Sequence, residues 1–300
     1  MEPQISLVIL AGGLGSRFGG AKQIARLPGI DSTIMELSIA DAYDAGVRHL
    51  IIIINAMVRD AIEQQILPNL PADLDVDLVE QRISDVPSEF AALAQQRSKP
   101  WGTGHALLCA KSVIRDKAIV ITADDYYGDI AFQQITEHFR RSENWGCVAY
   151  PLLNTLSEQG GVNRGICALN HAKQLLRVDE ILDIQFEGNT LVGTNAQQTR
   201  VELDEHALAS MTFWGIDLRL FTILEQNFYQ FLSIHDNGVK KEYYLPDQIQ
   251  YSIDTLGIAV DVYPAQQPWL GMTYKDELPV LAQKISALKG LTDVQHVIEE

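Results

Sequence analysis

Runs of consecutive apolar residues alternate with amphipathic stretches through the first half of the chain. Five strand-like runs predict buried strands, and four of them are mainly apolar, as expected for a strand that is covered on both faces. They lie at residues 7–10, 50–55, 76–81, 118–123 and 146–151. Helical periodicity between the runs predicts helices at residues 33–45, 58–67, 103–114 and 130–142. This alternation predicts an α/β fold, with a mostly parallel sheet flanked by helices and with ligands at the carboxyl ends of the strands.

The second half of the chain has a different pattern. Glycine and polar residues become frequent at residues 154–195, and short strand-like pieces there predict a small inserted β region. The remaining elements are predicted helices at residues 218–232 and 241–255, a strand at 257–263 and a last helix at 279–288. Because no repeat or linker interrupts the sequence, we expect a single domain over residues 1–300, with halves at 1–150 and 151–275 and a C-terminal helical tail at 276–300.

Composition narrows the classes of partner. The formal net charge of −16 argues against a nucleic-acid partner, because another polyanion would be repelled. No apolar run approaches the length of a membrane span, and no signal-like segment stands at the N-terminus, so the sequence predicts a soluble, cytoplasmic protein. Three scattered cysteines, without the spacing of metal ligands, are predicted to be buried thiols: Cys109, Cys147 and Cys167.

The segment that follows the first strand is rich in glycine and contains two cations. Gly12, Gly13 and Gly15 allow a sharp turn in which backbone amides can face phosphate oxygens, while Arg17 and Lys22 supply positive charge. A Walker loop is excluded because no serine or threonine follows the lysine. A dinucleotide fingerprint is excluded because a phenylalanine replaces its third glycine. The segment therefore predicts a nucleotide site of another kind.

Other polar groups are expected at the same edge of the sheet. The sequence Gly-Thr-Gly-His-Ala at residues 102–106 opens a predicted helix, where free backbone amides are available. Asp124 and Asp125 end an apolar strand and provide the hard oxygen ligands that Mg²⁺ requires. Gln81 ends the third strand, and its side-chain amide has the donors and the acceptor needed to read uracil or thymine.

The order of these motifs resembles that of a known enzyme family. Leu-Ala-Gly-Gly-x-Gly-Ser-Arg, followed by a lysine, resembles the signature loop of sugar-phosphate nucleotidyltransferases. Gly-Thr-Gly-His-Ala is similar to a string in N-acetylglucosamine-1-phosphate uridylyltransferases. The segment at residues 121–128 resembles the strand and Gly-Asp-Asn-x-x-Gly turn of thymidylyl- and uridylyltransferases. The chain thus resembles the sugar-1-phosphate nucleotidyltransferase family, which implies a Rossmann-like mixed sheet.

The resemblance also implies a reaction and a set of site residues. A nucleoside triphosphate would react with a sugar 1-phosphate to give a nucleotide-activated sugar and pyrophosphate, with Mg²⁺ as cofactor. Gln81 favours UTP or dTTP as this nucleotide. The catalytic cations would be Arg17 and Lys22, and the metal ligand Asp124. The nucleotide would contact Ala11, Gly12, Gly13, Gly15, Gln81, Gly102 and Thr103. The acceptor would contact Asp125, Gly165, Glu180 and Thr212.

Some positions depart from the family pattern and leave other functions open. No lysine follows Glu180, Thr212 replaces an asparagine, and Gly271 stands where a second metal ligand is expected. The short spacing between Arg17 and Lys22 favours a cytidylyltransferase that acts on a choline-phosphate, phosphonate or molybdopterin-type acceptor. A regulatory protein that binds a sugar nucleotide without turnover is a further alternative.

Overall fold

Four parallel strands place the segments that carry the motifs. The computed structural model describes residues 3–13, 22–157, 160–234, 241–272 and 275–291. The strands lie in the order β3, β2, β1, β4, and their bounds are β1 Ile5–Leu10, β2 His49–Ile54, β3 Asp75–Glu80 and β4 Lys117–Thr122. Every residue of β2 is buried, as expected for a strand that is covered on both faces. All four begin and end within two residues of the predicted bounds.

The sheet continues in antiparallel fashion beyond β4. β11, Leu208–Asp217, pairs with β4 and separates it from β6, Trp145–Pro151, which is the fifth predicted strand. The late strand β12, Val260–Pro264, runs parallel to β6. The predicted inserted β region is an antiparallel extension made of β7 Val162–Leu169, β8 Leu175–Glu187, β9 Thr190–Thr194 and β10 Arg200–Glu202. A separate two-stranded pair consists of β5 Asp125–Tyr126 and β13 Leu270–Gly271.

Helices follow most of the strands. Their bounds are α1 Ile34–Asp44, α2 Arg59–Gln65, α3 Ala91–Gln95, α4 Thr103–Cys109, α5 Asp129–Arg141, α6 Arg219–Ser233, α7 Leu245–Leu256 and α8 Leu278–Lys289. α1 begins with a reciprocal capping box, in which the Thr33 hydroxyl accepts from the amide of Glu36 and the Glu36 carboxylate accepts from that of Thr33. α4 is shorter than predicted, because tighter turns with i to i+3 hydrogen bonds follow Cys109. None of the described helices is long and apolar enough to cross a membrane.

Side chains from the two faces of the sheet form separate cores. Leu7 and Ile9 of β1 pack on the side of α1 and α5, whereas Val8 packs on the side of α4, α6 and α7. A third, smaller core joins α8 and β13 to α1 and includes Tyr126 and Met272. Because helices cover both faces, the carboxyl edge of the parallel strands is left as the place where a ligand can meet several loops.

Candidate active site

The loop after β1 is fixed at the carboxyl edge of the sheet by side-chain amides. The Asn55 side chain donates to the carbonyl of Gly12 at 3.1 Å, and the Gln23 side chain donates to that of Gly13 at 2.6 Å. Ala11 and Gly12 are buried and Gly13 is exposed. The sequence did not single out these two side chains as site residues. Asn55 ends the predicted second strand, and Gln23 directly follows Lys22. The predicted residues Gly15 and Arg17 lie outside the described residues.

Gln81 links this loop to the Gly-Thr-Gly motif at residues 102–104. Its backbone N–H donates to the carbonyl of Ile54 at 2.8 Å, which sets it directly after β3. Its Nε2 donates to the carbonyl of Gly102 at 3.1 Å. A Cβ atom on Gly12 would come within 3.2 Å of Gln81 Oε1. The structure thus brings together three positions that were predicted to bind the nucleotide, and the glycine permits their close approach.

The Gly-Thr-Gly motif packs against the start of α7, a contact that the sequence did not reveal. Gly102 has a φ of 111° and a ψ of 177°, a conformation that is essentially restricted to glycine. A Cβ there would lie 2.6 Å from the carbonyl oxygen of Tyr243. Gly104 donates its N–H to that oxygen at 2.8 Å, and the Thr103 hydroxyl accepts from the N–H of Leu245 at 3.0 Å. The motif therefore has a structural use besides the predicted contact with a nucleoside.

Replacing Gly102 with alanine is expected to lower the free energy of unfolding by about 2 kcal/mol or more, because backbone strain and the clash with Tyr243 add. Gly257→Ala is the matched control: Gly257 has a φ of 64° and no heavy atom within 4 Å of the position that a Cβ would take, so only the strain of about 1 kcal/mol applies. Urea unfolding of both variants measures the difference. Equal losses would show that the Tyr243 contact is not tight.

A predicted catalytic cation and the predicted metal ligand meet just after the end of β4. Lys22 Nζ lies 2.6 Å from Asp124 Oδ2, although the residues are 102 positions apart in the chain. The side chains are 13% and 34% exposed, so a ligand can reach the pair. An ion pair of this exposure contributes about 0–1 kcal/mol to stability. The geometry thus gives a cation and a carboxylate at the same point, next to the glycine-rich loop.

Asp125 has a more enclosed environment than Asp124. Its Oδ2 accepts from the Thr122 hydroxyl at 2.8 Å. Burial, and then the neighbouring charge of Asp124, raise the pKa of Asp125 to about 7. Gly271 pairs with Asp125 between β13 and β5, so no side chain faces Asp125 from the position where a second metal ligand is expected. Over the described ranges, no three His, Cys, Asp or Glu side chains form a group that could hold a metal ion.

Gly165 and Glu180 are neighbours, as their predicted common role requires. They lie directly opposite each other in the β7–β8 pair, and Gly165 also faces Ser210 of β11. A Cβ on Gly165 would lie 2.5 Å from Val178 Cγ1, so the position has little space for a side chain. Glu180 is exposed, and its charge is one cause, after burial, of the raised pKa of Asp247 at the start of α7.

Thr212 occupies a bulge in β11. The pairing of β11 with β6 shifts between Ser210 and Trp214, and Thr212 has a φ of 61°. A β-branched residue in the left-handed region is strained, and such strain is concentrated at functional sites. The Tyr127 hydroxyl donates to the carbonyl of Met211 at 2.9 Å and holds the bulge in place. Thr212 is thus held in a strained conformation on the strand that neighbours β4.

Thr212→Asn is expected to raise the free energy of unfolding by about 0.5–1 kcal/mol, because asparagine tolerates the left-handed region far better than threonine. Thr190→Asn, at the start of β9, is the control, since its backbone is not left-handed and asparagine is a poorer strand residue. Thermal and urea unfolding measure both effects. A loss of stability in Thr212→Asn would contradict the assignment of strain.

Comparison with known proteins agrees with the motifs. Residues 7–151 match the MobA-like NTP transferase domain. A UTP–glucose-1-phosphate uridylyltransferase of Bacillus subtilis is 28% identical over 128 residues, which make up 39% of this chain and 42% of that protein. The chain therefore spans about two fifths of the length of this curated relative.

Solved structures with low sequence identity share the fold over nearly the whole chain. An inositol-1-phosphate CTP transferase from T. maritima superimposes with a TM-score of 0.64 at 13% identity, covering 95% of this chain and 97% of that one. A UDP-glucose pyrophosphorylase from Acinetobacter baumannii gives a TM-score of 0.58 at 17% identity, covering 96% and 94%. The predicted Rossmann-like mixed sheet is confirmed. The resemblance to nucleotidyltransferases that the motifs indicated is confirmed as well, because residues 7–151 match the MobA-like NTP transferase domain and the curated relative is a uridylyltransferase.

Proposed function

We propose that this protein transfers a nucleotidyl group from UTP or dTTP to a sugar 1-phosphate and releases pyrophosphate. The observation that carries the proposal is the contact between Lys22 and Asp124 at 2.6 Å, beside the loop of Gly12 and Gly13. A cation and a carboxylate at the carboxyl edge of a parallel sheet are what alignment of two phosphates and a divalent ion requires. The match to a nucleotidyltransferase domain supports the same reaction class.

In the proposed reaction, an oxygen of the acceptor phosphate attacks the α-phosphorus of the nucleotide. A new phosphorus–oxygen bond forms as the bond from the α-phosphorus to the bridging oxygen breaks, and pyrophosphate leaves with that electron pair. The attacking oxygen is already anionic, so no general base is needed. The protein's contribution is alignment of the two phosphates and neutralisation of their charge.

Each part of the site has a role in this scheme. The backbone of Ala11, Gly12 and Gly13 would face the triphosphate, and Lys22 would bridge the α-phosphate and the acceptor phosphate. Gly15, which like Arg17 lies outside the described residues, would also face the triphosphate, and Arg17 would bind its β and γ phosphates. Gln81, Gly102 and Thr103 would contact the nucleoside. The acceptor would be bound by Asp125, Gly165, Glu180 and Thr212.

The carboxylates fit a divalent cation. Mg²⁺ takes oxygen ligands and is commonly held by one or two carboxylates together with substrate phosphates. Asp124 is partly exposed at the loop, and Asp125 follows it in sequence, so Asp124 would hold the ion with Asp125 beside it. When bound, Mg²⁺ would neutralise phosphate charge. Lys22, which contacts the same carboxylate, would then be free to contact a phosphate.

The runner-up is a cytidylyltransferase that acts on a non-sugar phosphate. The short spacing of Arg17 and Lys22 favours it, and the shared fold of the T. maritima inositol-1-phosphate CTP transferase supports it. A regulatory protein that binds without turnover is the non-enzymatic alternative. The cytoplasm, where nucleoside triphosphates are available, is the proposed location, and the charge of −16 argues against a nucleic-acid partner.

The preference for a nucleobase is tested by competition of UTP, dTTP, CTP, ATP and GTP at equal concentration. We expect UTP or dTTP to be preferred, and Gln81→Leu to reduce this preference more than it reduces the maximal rate. A base that leaves polar groups unpaired costs about 1–3 kcal/mol for each group. Gln64→Leu, at an exposed position of α2, is the control. A clear preference of the wild type for ATP or GTP would contradict the proposed role of Gln81.

A further inference from the structure

His105 has a single protonation state that satisfies its surroundings. Its Nε2 lies 2.9 Å from the carbonyl oxygen of Asp85, which can only accept, so Nε2 carries a proton. Burial lowers the pKa of His105, and the ring is therefore neutral. Its Nδ1 is then an acceptor, and it lies 3.1 Å from Gln81 Nε2. The ring also packs on Phe228, with centroids 4.6 Å apart, so its position is fixed.

These contacts fix the orientation of the Gln81 amide. Both N–H groups of Nε2 have acceptors, one in the carbonyl of Gly102 and the other in His105 Nδ1, each at 3.1 Å. A reversed amide would place Oε1 against two acceptors and lose both hydrogen bonds. Oε1 lies instead on the side of Gly12, where a Cβ would be 3.2 Å away. No donor from the described part of the chain has a hydrogen bond to this oxygen.

We propose that His105 is a positioning residue that makes Gln81 present only a carbonyl oxygen to the nucleobase, and so selects uracil or thymine over cytosine. The inference rests on the proposed function, because it needs a nucleotide bound at the loop of Gly12. Uracil and thymine carry a donor at N3, which an amide oxygen can accept. Cytosine has a lone pair at N3, and its donor, the 4-amino group, lies where uracil and thymine carry O4, so an oxygen placed to accept from N3 faces no proton in cytosine.

Two substitutions of His105 separate positioning from packing. His105→Asn can place a side-chain oxygen close to the position of Nδ1, so it can keep the acceptor for Gln81. In His105→Gln the new side chain would extend toward the carbonyl of Asp85, in place of Nε2. It would leave no acceptor for Gln81 at the position of Nδ1. Both remove the ring that packs on Phe228, so a purely structural role would affect them alike. kcat and KM for UTP and for CTP are measured for the full-length wild type and for both variants.

We expect the wild type to prefer UTP, and His105→Gln to narrow the UTP-to-CTP ratio of kcat/KM about fivefold, the factor that corresponds to one lost hydrogen bond of about 1 kcal/mol. His105→Asn should retain most of the ratio, and the change in His105→Gln should be mainly in KM. A wild type that prefers CTP, or a ratio unchanged in His105→Gln, would overturn the proposal while nucleotidyl transfer stands.

A measurement on the wild type keeps the inference independent of activity and of the folding of any variant. Nitrogen-15 NMR of the labelled imidazole is expected to show a neutral His105 ring with its proton on Nε2 at neutral pH. A proton on Nδ1 would overturn the proposal. If no nucleotide and acceptor combination releases pyrophosphate, the proposed function fails, and the NMR result still reports separately on the geometry around Gln81.

Discussion

Lys22→Ala is expected to lower the turnover number by a factor of roughly 10²–10³ while the fold is retained. The reason is that Lys22 Nζ is the described cation nearest to Asp124, at 2.6 Å, and in the proposed reaction it would stabilise charge on the reacting phosphates. Loss of one preorganised electrostatic group in a site of this kind costs about that factor. The fold should persist because a partly exposed ion pair contributes about 0–1 kcal/mol. Steady-state pyrophosphate release, with circular dichroism to check folding, measures the effect.

Lys111→Ala is the matched control for this substitution. Lys111 Nζ forms an ion pair of similar length, 2.7 Å, with Glu225 on the surface of the molecule. Its removal should leave turnover unchanged, because the pair lies between α4 and α6 rather than at the carboxyl edge of the sheet. Should Lys22→Ala fold normally and release pyrophosphate at the wild-type rate, Lys22 has no part in the reaction.

Asp124→Asn is expected to reduce the maximal rate by at least about 10²-fold and to raise the Mg²⁺ concentration needed for half-maximal activity. The amide keeps the shape of the carboxylate but removes the charge that hard cations prefer. The second effect separates this variant from Lys22→Ala, for which the Mg²⁺ midpoint should change little. Activity is measured over a titration of MgCl₂, starting from protein that has been treated with EDTA.

Asp75→Asn controls for the loss of a paired aspartate. Asp75 forms an ion pair with Arg115 at the start of β3, the opposite end of the strand from Gln81. Its removal should leave the Mg²⁺ dependence unchanged. Full activity of the wild type in EDTA, or a wild-type Mg²⁺ curve for Asp124→Asn, would contradict the role of Asp124 as a metal ligand.

The first four strands and the helices beside them could be predicted because local pattern determines them. A strand such as β2, buried over all six of its residues, reads as an apolar run whatever its neighbours are. The place of β11 between β4 and β6 could not be predicted, because an apolar run does not encode its partner. Strands adjacent in sequence are usually adjacent in the sheet, and this one is not.

Part of the candidate site could also be predicted from local pattern. Asp124 and Gln81 stand at the ends of strands, so the parallel order alone brings them to one edge with Lys22. The contacts of Tyr243 join elements that are distant in the chain. The ring nitrogens of His105 bond to the backbone carbonyl of Asp85 and to the side chain of Gln81, which are also remote in sequence. Neither residue type nor spacing in the sequence predicts such contacts. The strain at Thr212 also becomes visible only once its φ is known.

Nucleotidyl transfer is tested by measuring pyrophosphate release from the full chain with UTP, a hexose 1-phosphate and MgCl₂ present together. We expect that release requires all three components, that one nucleotide-activated sugar forms for each pyrophosphate, and that Lys22→Ala and Asp124→Asn both reduce the rate. Exchange of the nucleotide and of the acceptor in a matrix then identifies the substrates. Absence of release with every pair in that matrix, or release from the nucleoside triphosphate alone without an acceptor, would contradict the proposal of nucleotidyl transfer.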